Sequence, residues 1–215
     1  MKSNVKNLTT VAMLCAMAYV FMLISKVIPA VEGFLQYDAK DIIITIGGFI
    51  LGPVYALVIS IVVALLEFLT VSSTGPIGLL MNIVSTASFA FTAALVYRKI
   101  KTLSGAFISL AAATLVLTAV MLLWNYYITP LYMKVPQEVI KTMLPTVFLP
   151  FNLVKGIINS GFILFLYRPL VMALSKTRLV VNTGAPKKLI SPALIAGIII
   201  VVIFIPVILH MAKVI

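Results

Sequence analysis

Seven nearly unbroken apolar stretches run along the chain, at about 8–28, 40–51, 53–71, 77–97, 104–129, 145–174 and 189–210. Each predicts a helix, and all but the second approach the length that the ~30 Å hydrocarbon thickness needs at ~1.5 Å of rise per residue. The second stretch is the short one. It stops at Gly52-Pro53, where proline breaks the helical ladder, so two helices meeting in a tight turn are expected there. They need not both face lipid along their whole length. Between the apolar runs lie polar or basic connections: IPAVEGFLQYDA at 28–39, SSTGP at 72–76, RKIK at 98–101 and PLYMKVPQEVIKTM at 130–143. The tract SKTRLVVNTGAPKK at 175–188 is the one polar linker late in the chain.

Composition turns this pattern into a class. Of 215 residues, 63% are hydrophobic and 10% charged, more apolar surface than a water-soluble fold can hide. The reading is a polytopic all-α protein of the lipid bilayer, in the cell membrane. The formal net charge of +11 would suggest nucleic acid in a soluble chain, but in this one it sets orientation, and no nucleic-acid partner is expected. Lys2 and Lys6 precede the first run in the manner of a signal peptide, yet the run is too long for a signal core, so a retained first span is expected. With the N-terminus cytoplasmic, the inner face gathers Lys2, Lys6, Arg98, Lys99, Lys101, Arg168, Lys176, Arg178, Lys187 and Lys188. The outer face holds Lys26, Lys40, Lys134, Lys141 and Lys213, so ten basic residues face five, as the positive-inside rule requires. The longer connections then fall outside, where they can cover a site open to that face.

Within the apolar runs a few polar residues stand out. LPFNLVKGIINSG (149–161) carries Asn152, Lys155 and Asn159 at i, i+3 and i+7, one face of a helix. A lysine inside a span costs a few kcal/mol, which favours a protein interior, a cavity or a partner. Asn offers donor and acceptor and Lys donors only, a set suited to the edge of a planar polar ligand. The alternative is a packing stripe with Lys155 snorkelling outward. WNYYITPLY (124–132) offers Asn125 and Tyr126 among aromatic rings: a site for a flat ligand, or an interfacial aromatic belt. QYDAKDII (36–43) brings Tyr37, Asp38, Lys40 and Asp41, read either as a lid touching a hydroxylated ligand or as a marker of the water interface. Glu67, near the outer end of the third stretch, pairs with a lysine or a ligand hydroxyl, or is shallowly solvated. Ala12 and Ala16, four apart on the first stretch, let another helix approach closely.

Other chemistry is not supported. The chain has no G-x-x-x-x-G-K-[ST] phosphate loop, and one cysteine (Cys15) with one histidine (His210) makes no metal cluster. Catalytic residues and cofactors are not expected, and an enzyme is a poor fit.

The order YDAKDI, GGFILGP, STGPIGLLMN, NYYITPLY and FNLVK resembles the substrate-binding S components of energy-coupling factor (ECF) vitamin transporters, with the riboflavin-specific RibU family the nearest match, over about residues 8–174. The resemblance implies a six-helix membrane bundle that captures riboflavin from outside and docks on a transmembrane coupling subunit and two ATPases. It assigns Asn125, Asn152 and Lys155 to the polar rim of the isoalloxazine ring, Tyr37 and its loop to closing the site, and Ala12 and Ala16 to the coupling subunit. Asp41, Glu67 and Tyr126 complete the expected substrate-binding set. The last stretch departs from six helices, so the expected organisation is an S-component-like domain at 1–175, a linker at 176–188 and an additional C-terminal transmembrane helix within 189–215. Three alternatives stay open: an S component for FMN or another vitamin, a stand-alone secondary transporter using Glu67 and Lys155 as coupling groups, and a membrane scaffold without transport.

Overall fold

The computed structural model describes residues 2–72, 74–176 and 192–211. The linker expected at 176–188 lies outside the described residues beyond Lys176, as do Arg178, Lys187, Lys188 and Lys213. Among the described residues nine α-helices follow one another: α1 (Lys2–Ser25), α2 (Lys40–Leu51), α3 (Pro53–Thr70), α4 (Gly75–Lys99), α5 (Leu103–Tyr127), α6 (Thr129–Met133), α7 (Gln137–Met143), α8 (Leu149–Lys176) and α9 (Pro192–Met211). Six helical segments among the described residues are long and apolar enough to cross a bilayer, in α1, α3, α4, α5, α7–α8 and α9. The chain is a multi-pass membrane protein.

The short second helix is the centre of the bundle. At 12 residues α2 is only about 18 Å long. It packs on α1, α3, α4 and α8, and its run from Lys40 to Gly48 is buried throughout. Protein rather than lipid surrounds it, which is how a helix too short to span is accommodated. It ends at Gly52, whose φ of 110° is open to glycine, and Pro53 starts α3 in its first turn, where a missing N–H costs nothing.

The stretch 130–143, expected as a loop, is instead helical. Its prolines act as helix starters: Pro130 sits in the first turn of α6 and Pro136 caps α7. Lys134, left-handed at φ 54°, ends α6. A π-helical turn at Leu144–Phe148 then leads into α8, placed where Pro145 withdraws a backbone donor.

The C-terminal helix is present as expected. α9 has 20 residues, about 30 Å, and lies along α8. The two approach so closely at Gly197 that a Cβ there would come within 2.6 Å of the Gly161 carbonyl oxygen. Ile195, Ile198, Ile199, Val202 and Ile203 remain exposed on the other side, a face for lipid.

Candidate ligand-binding site

α8 turns its polar stripe inward. Asn152, Lys155 and Asn159 are 2%, 4% and 0% exposed, which removes the outward-snorkelling reading of Lys155. The Lys155 ammonium lies 3.3 Å from Asp41 Oδ2 and donates to Ser85 Oγ at 3.2 Å. Asp41, in the first turn of α2, accepts at Oδ1 from the Thr86 hydroxyl (2.7 Å) and at Oδ2 from Asn159 Nδ2 (3.4 Å). The Tyr37 hydroxyl donates to Asn159 Oδ1 at 2.8 Å, tying the α1–α2 loop to α8.

A second set of charges adjoins the first. Lys40 is fully buried and donates to Asp38, to Glu67 Oε2 (2.9 Å) and to Asn82 Oδ1 (3.2 Å). Lys26, one-third exposed, reaches Glu67 Oε1 at 2.8 Å, and Asn82 donates back to Glu67 Oε2 at 2.9 Å. Asp38, Lys40 and Asp41 therefore do not mark the water interface. Three ammonium groups (Lys26, Lys40, Lys155) oppose three carboxylates (Asp38, Asp41, Glu67), so the cluster is neutral as a whole. That balance is what makes burying five of these six charged side chains tolerable.

Asp38 is the exception to full satisfaction. It is 3% exposed, and its Oδ1 is a buried oxygen with no hydrogen-bond partner among the described residues. Burial alone would raise its pKa; the Lys40 ammonium, with Lys155 and Lys26 behind it, outweighs burial and holds the carboxyl below its ordinary value. Burial raises the Tyr37 phenol, and the neighbouring Asp41 and Asp38 raise it further, so it stays a donor.

These residues surround a cavity. Asn152, Lys155, Asp38, Asn82 and Ser85 line it together with Phe34, Phe151 and Met121. A neighbouring crevice shares Phe34, Gly78 and Met81 and adds Trp124, Thr129 and Tyr132. The α1–α2 loop is the cover. Val31 and Leu35 exchange backbone hydrogen bonds at 3.0 Å around Glu32 and Gly33, both at positive φ. Gln36 Nε2 donates to the Ile28 carbonyl at 2.7 Å, and Phe34 meets Phe148 edge to face at 6.0 Å. Under this cover the cavity has a volume of about 50 Å³, room for a few water molecules and not for a ring system.

The expected residues thus divide. Asn152 and Lys155 line the cavity directly; Asp41 and Glu67 stand behind it, bonded to the lining residues Lys155 and Lys26, and Tyr37 is tied to Asn159 outside the lining. Asn125 is fully buried, but its amide donates to the Met121 carbonyl (2.7 Å) and accepts from Thr129 (2.8 Å). Its neighbour Trp124 reaches the crevice. Tyr126 packs against Tyr127 with ring centroids 4.8 Å apart, outside both linings. Ala12 and Ala16 are exposed on one face of α1. Lys26, Phe34, Asn82, Ser85 and Thr86 escaped the sequence reading. A signal for three of them exists: Asn82, Ser85 and Thr86 stand at i, i+3 and i+4, on one face of a helix.

A buried rim of amides and a lysine beside phenyl and indole rings suits a flat, largely apolar ligand with donors and acceptors on one edge. Residues 6–171 match the family described as ECF transporter, substrate-specific component. The chain belongs to that family. It is therefore a transporter subunit and not an enzyme. It is 32% identical over 177 residues to the riboflavin transporter RibU of Staphylococcus aureus, covering 80% of this chain and 93% of the relative. It is 28% identical over 164 residues to the riboflavin transporter FmnP of Bacillus subtilis, covering 72% and 86%. A solved S component of a bacterial ECF transporter has the same fold, with a TM-score of 0.68 and 32% identity over 80% of this chain and 98% of that one.

Proposed function

We propose that this substrate-specific component captures riboflavin at the outer face. The observation that carries the reading is the pairing of Asn152 and Lys155 on the wall of a covered cavity, with Phe34 and Phe151 beside them. Amide and ammonium meet the carbonyls and ring nitrogens of the isoalloxazine rim, and the phenyl rings hold its apolar faces. Similarity to two proteins named riboflavin transporters supports the choice of vitamin. The 28–39 loop swings away to admit the ring system and closes over it.

Asn125 and Tyr126 join the site in that reading only by rearranging, Asn125 by releasing Thr129. Asp41, Glu67 and Tyr37 position the lining groups. The unpartnered Asp38 oxygen takes a hydroxyl of the ribityl chain. It also disfavours FMN, because Lys40 and Lys26, the cations that would receive a phosphate, are engaged by Asp38 and Glu67.

Delivery follows by docking on a transmembrane coupling subunit and two ATPases, with the exposed Ala12 and Ala16 letting the coupling subunit approach α1. The N-terminus is cytoplasmic. Residues 1–175 form the capturing domain and α9 is an addition to it.

Titration of the purified chain with riboflavin, followed by quenching of flavin fluorescence, tests the capture step. Saturable quenching is expected, with FMN binding more weakly; no quenching would refute the reading. Proteoliposomes containing only this chain test the need for partners: binding without flux is expected, and flux would favour a stand-alone transporter.

A further inference from the structure

At the opposite end of the bundle from the covered cavity lies a larger one, about 300 Å³, formed where the α2–α3 turn meets the end of α4 and the α4–α5 connection. Its walls are Phe49, Gly52, Tyr55 and Ala94, and two basic residues, Arg98 and Lys101, complete it. Phe49 is fixed by stacking on Tyr97 with centroids 4.2 Å apart, and Tyr55 by accepting a hydrogen bond from Asn7 Nδ2 at 3.2 Å. No acidic side chain lines the cavity, and among the described residues neither Arg98 nor Lys101 forms an ion pair or hydrogen bond. The first turn of α3 borders the same space and adds the positive end of its dipole.

We infer that this cavity holds the phosphate of an anionic phospholipid. The charge there is uncompensated and positive, which a phosphodiester complements, and Arg presents a fork of donors matched to phosphate oxygens. The location decides for a lipid over a soluble anion. The cavity sits at the ends of membrane-crossing helices, and Val54, Val58 and Ile61 run from it along the exposed face of α3, a bed for an acyl chain. The inference is independent of which vitamin the other site takes.

The test places the full chain in bilayers of mixed phosphatidylcholine and phosphatidylglycerol and measures by native mass spectrometry which lipid stays bound. Phosphatidylglycerol is expected to be retained preferentially. Each basic residue contributes about fivefold, so Arg98→Gln with Lys101→Gln lowers the preference about twenty-five-fold. Lys99→Gln, next in sequence but not in the cavity wall, leaves it unchanged. Riboflavin quenching or a thermal unfolding scan checks that the variants are folded. Should the double variant not fold, Lys101→Gln alone, in an exposed connection, is expected to lower the preference about fivefold. An unchanged lipid ratio in the folded variants overturns the inference. So does full competition by free inorganic phosphate, which would make the site one for a soluble anion.

Discussion

Lys155 on α8 and Asp41 on α2 meet at 3.3 Å, and neither has more than 4% of its side chain exposed. The pair locks the short central helix to the helix that carries the cavity rim. Removing the amine has two separable effects. Lys155→Met leaves Asp41 buried with only Thr86 and Asn159 as partners, and should destabilise the protein by about 3–5 kcal/mol, the cost of an uncompensated buried charge. It should also weaken riboflavin binding by about 1–3 kcal/mol, the scale for a lost hydrogen bond to a charged group. The double variant Asp41→Asn with Lys155→Met should recover most of the stability and none of the affinity. Thermal unfolding and flavin titration on the same preparations check both halves. Recovery of affinity in the double variant would place Lys155 among purely structural residues.

Asp38 tests selectivity. Its free oxygen faces a cavity with no unengaged cation. Asp38→Asn keeps the shape and a carbonyl acceptor but removes the negative charge. Affinity for riboflavin should fall by about threefold to tenfold, the net value of one hydrogen bond. FMN binding should improve relative to riboflavin, narrowing the ratio of the two dissociation constants by about tenfold as the repelling charge disappears. Competition titrations measure that ratio directly. A ratio unchanged by the substitution would show that the phosphate end lies elsewhere.

Much of this architecture was legible in the chain, for physical reasons. The long spans are legible because bilayer thickness fixes their length and lipid fixes their composition. The buried stripe at 152, 155 and 159 is legible because a lysine inside an apolar helix has few places to go. Lys40 was misplaced. It counts as an outer-face residue when charges are read by position, yet it is fully buried, and only the fold brings Glu67 and Asn82 to it from 27 and 42 residues away. Asn125 runs the other way. Its amide beside aromatic rings suggested a ligand, whereas its local backbone and Thr129 satisfy it first. The stretch 130–143 was read as a connection, though its prolines at 130 and 136 are as much at home at the start of a helix.

The added helix gives a third prediction. Gly197 meets the Gly161 carbonyl, so Gly197→Leu must push α9 away from α8 or shift both. Overpacking of this kind costs about 1–3 kcal/mol. The contact lies away from Asn152 and Lys155, and the solved S component aligns over 98% of its length with only 80% of this chain. Flavin affinity should therefore stay within about twofold of the parent, a difference below ~0.5 kcal/mol, while the unfolding temperature falls. A large loss of affinity would instead give α9 a part in forming the site.

The pH response separates a capture protein from a proton-coupled one. Asp38 lies in the α1–α2 loop, and its carboxyl is held below the ordinary value of 3.8 because Lys40 outweighs the effect of burial. A group whose pKa is lower in the folded state stabilises that state fully above its unfolded value. Its contribution fades as pH falls through the folded value. The window in which Asp38 matters is thus below about pH 4, the unfolded carboxyl range. From pH 8 down to pH 5 the Lys40–Asp38 pair should remain ionised, with unfolding temperature and riboflavin affinity nearly level so far as this group governs them. Loss of both should begin only in stronger acid, and Asp38→Asn should remove that acid-sensitive component. Flavin titrations and thermal scans across this range supply the measurement. A midpoint between pH 5 and 7 that disappears in Asp38→Asn would mean that the carboxyl takes up a proton under ordinary conditions, behaviour that belongs to an ion-coupled carrier and not to a subunit driven by separate ATPases.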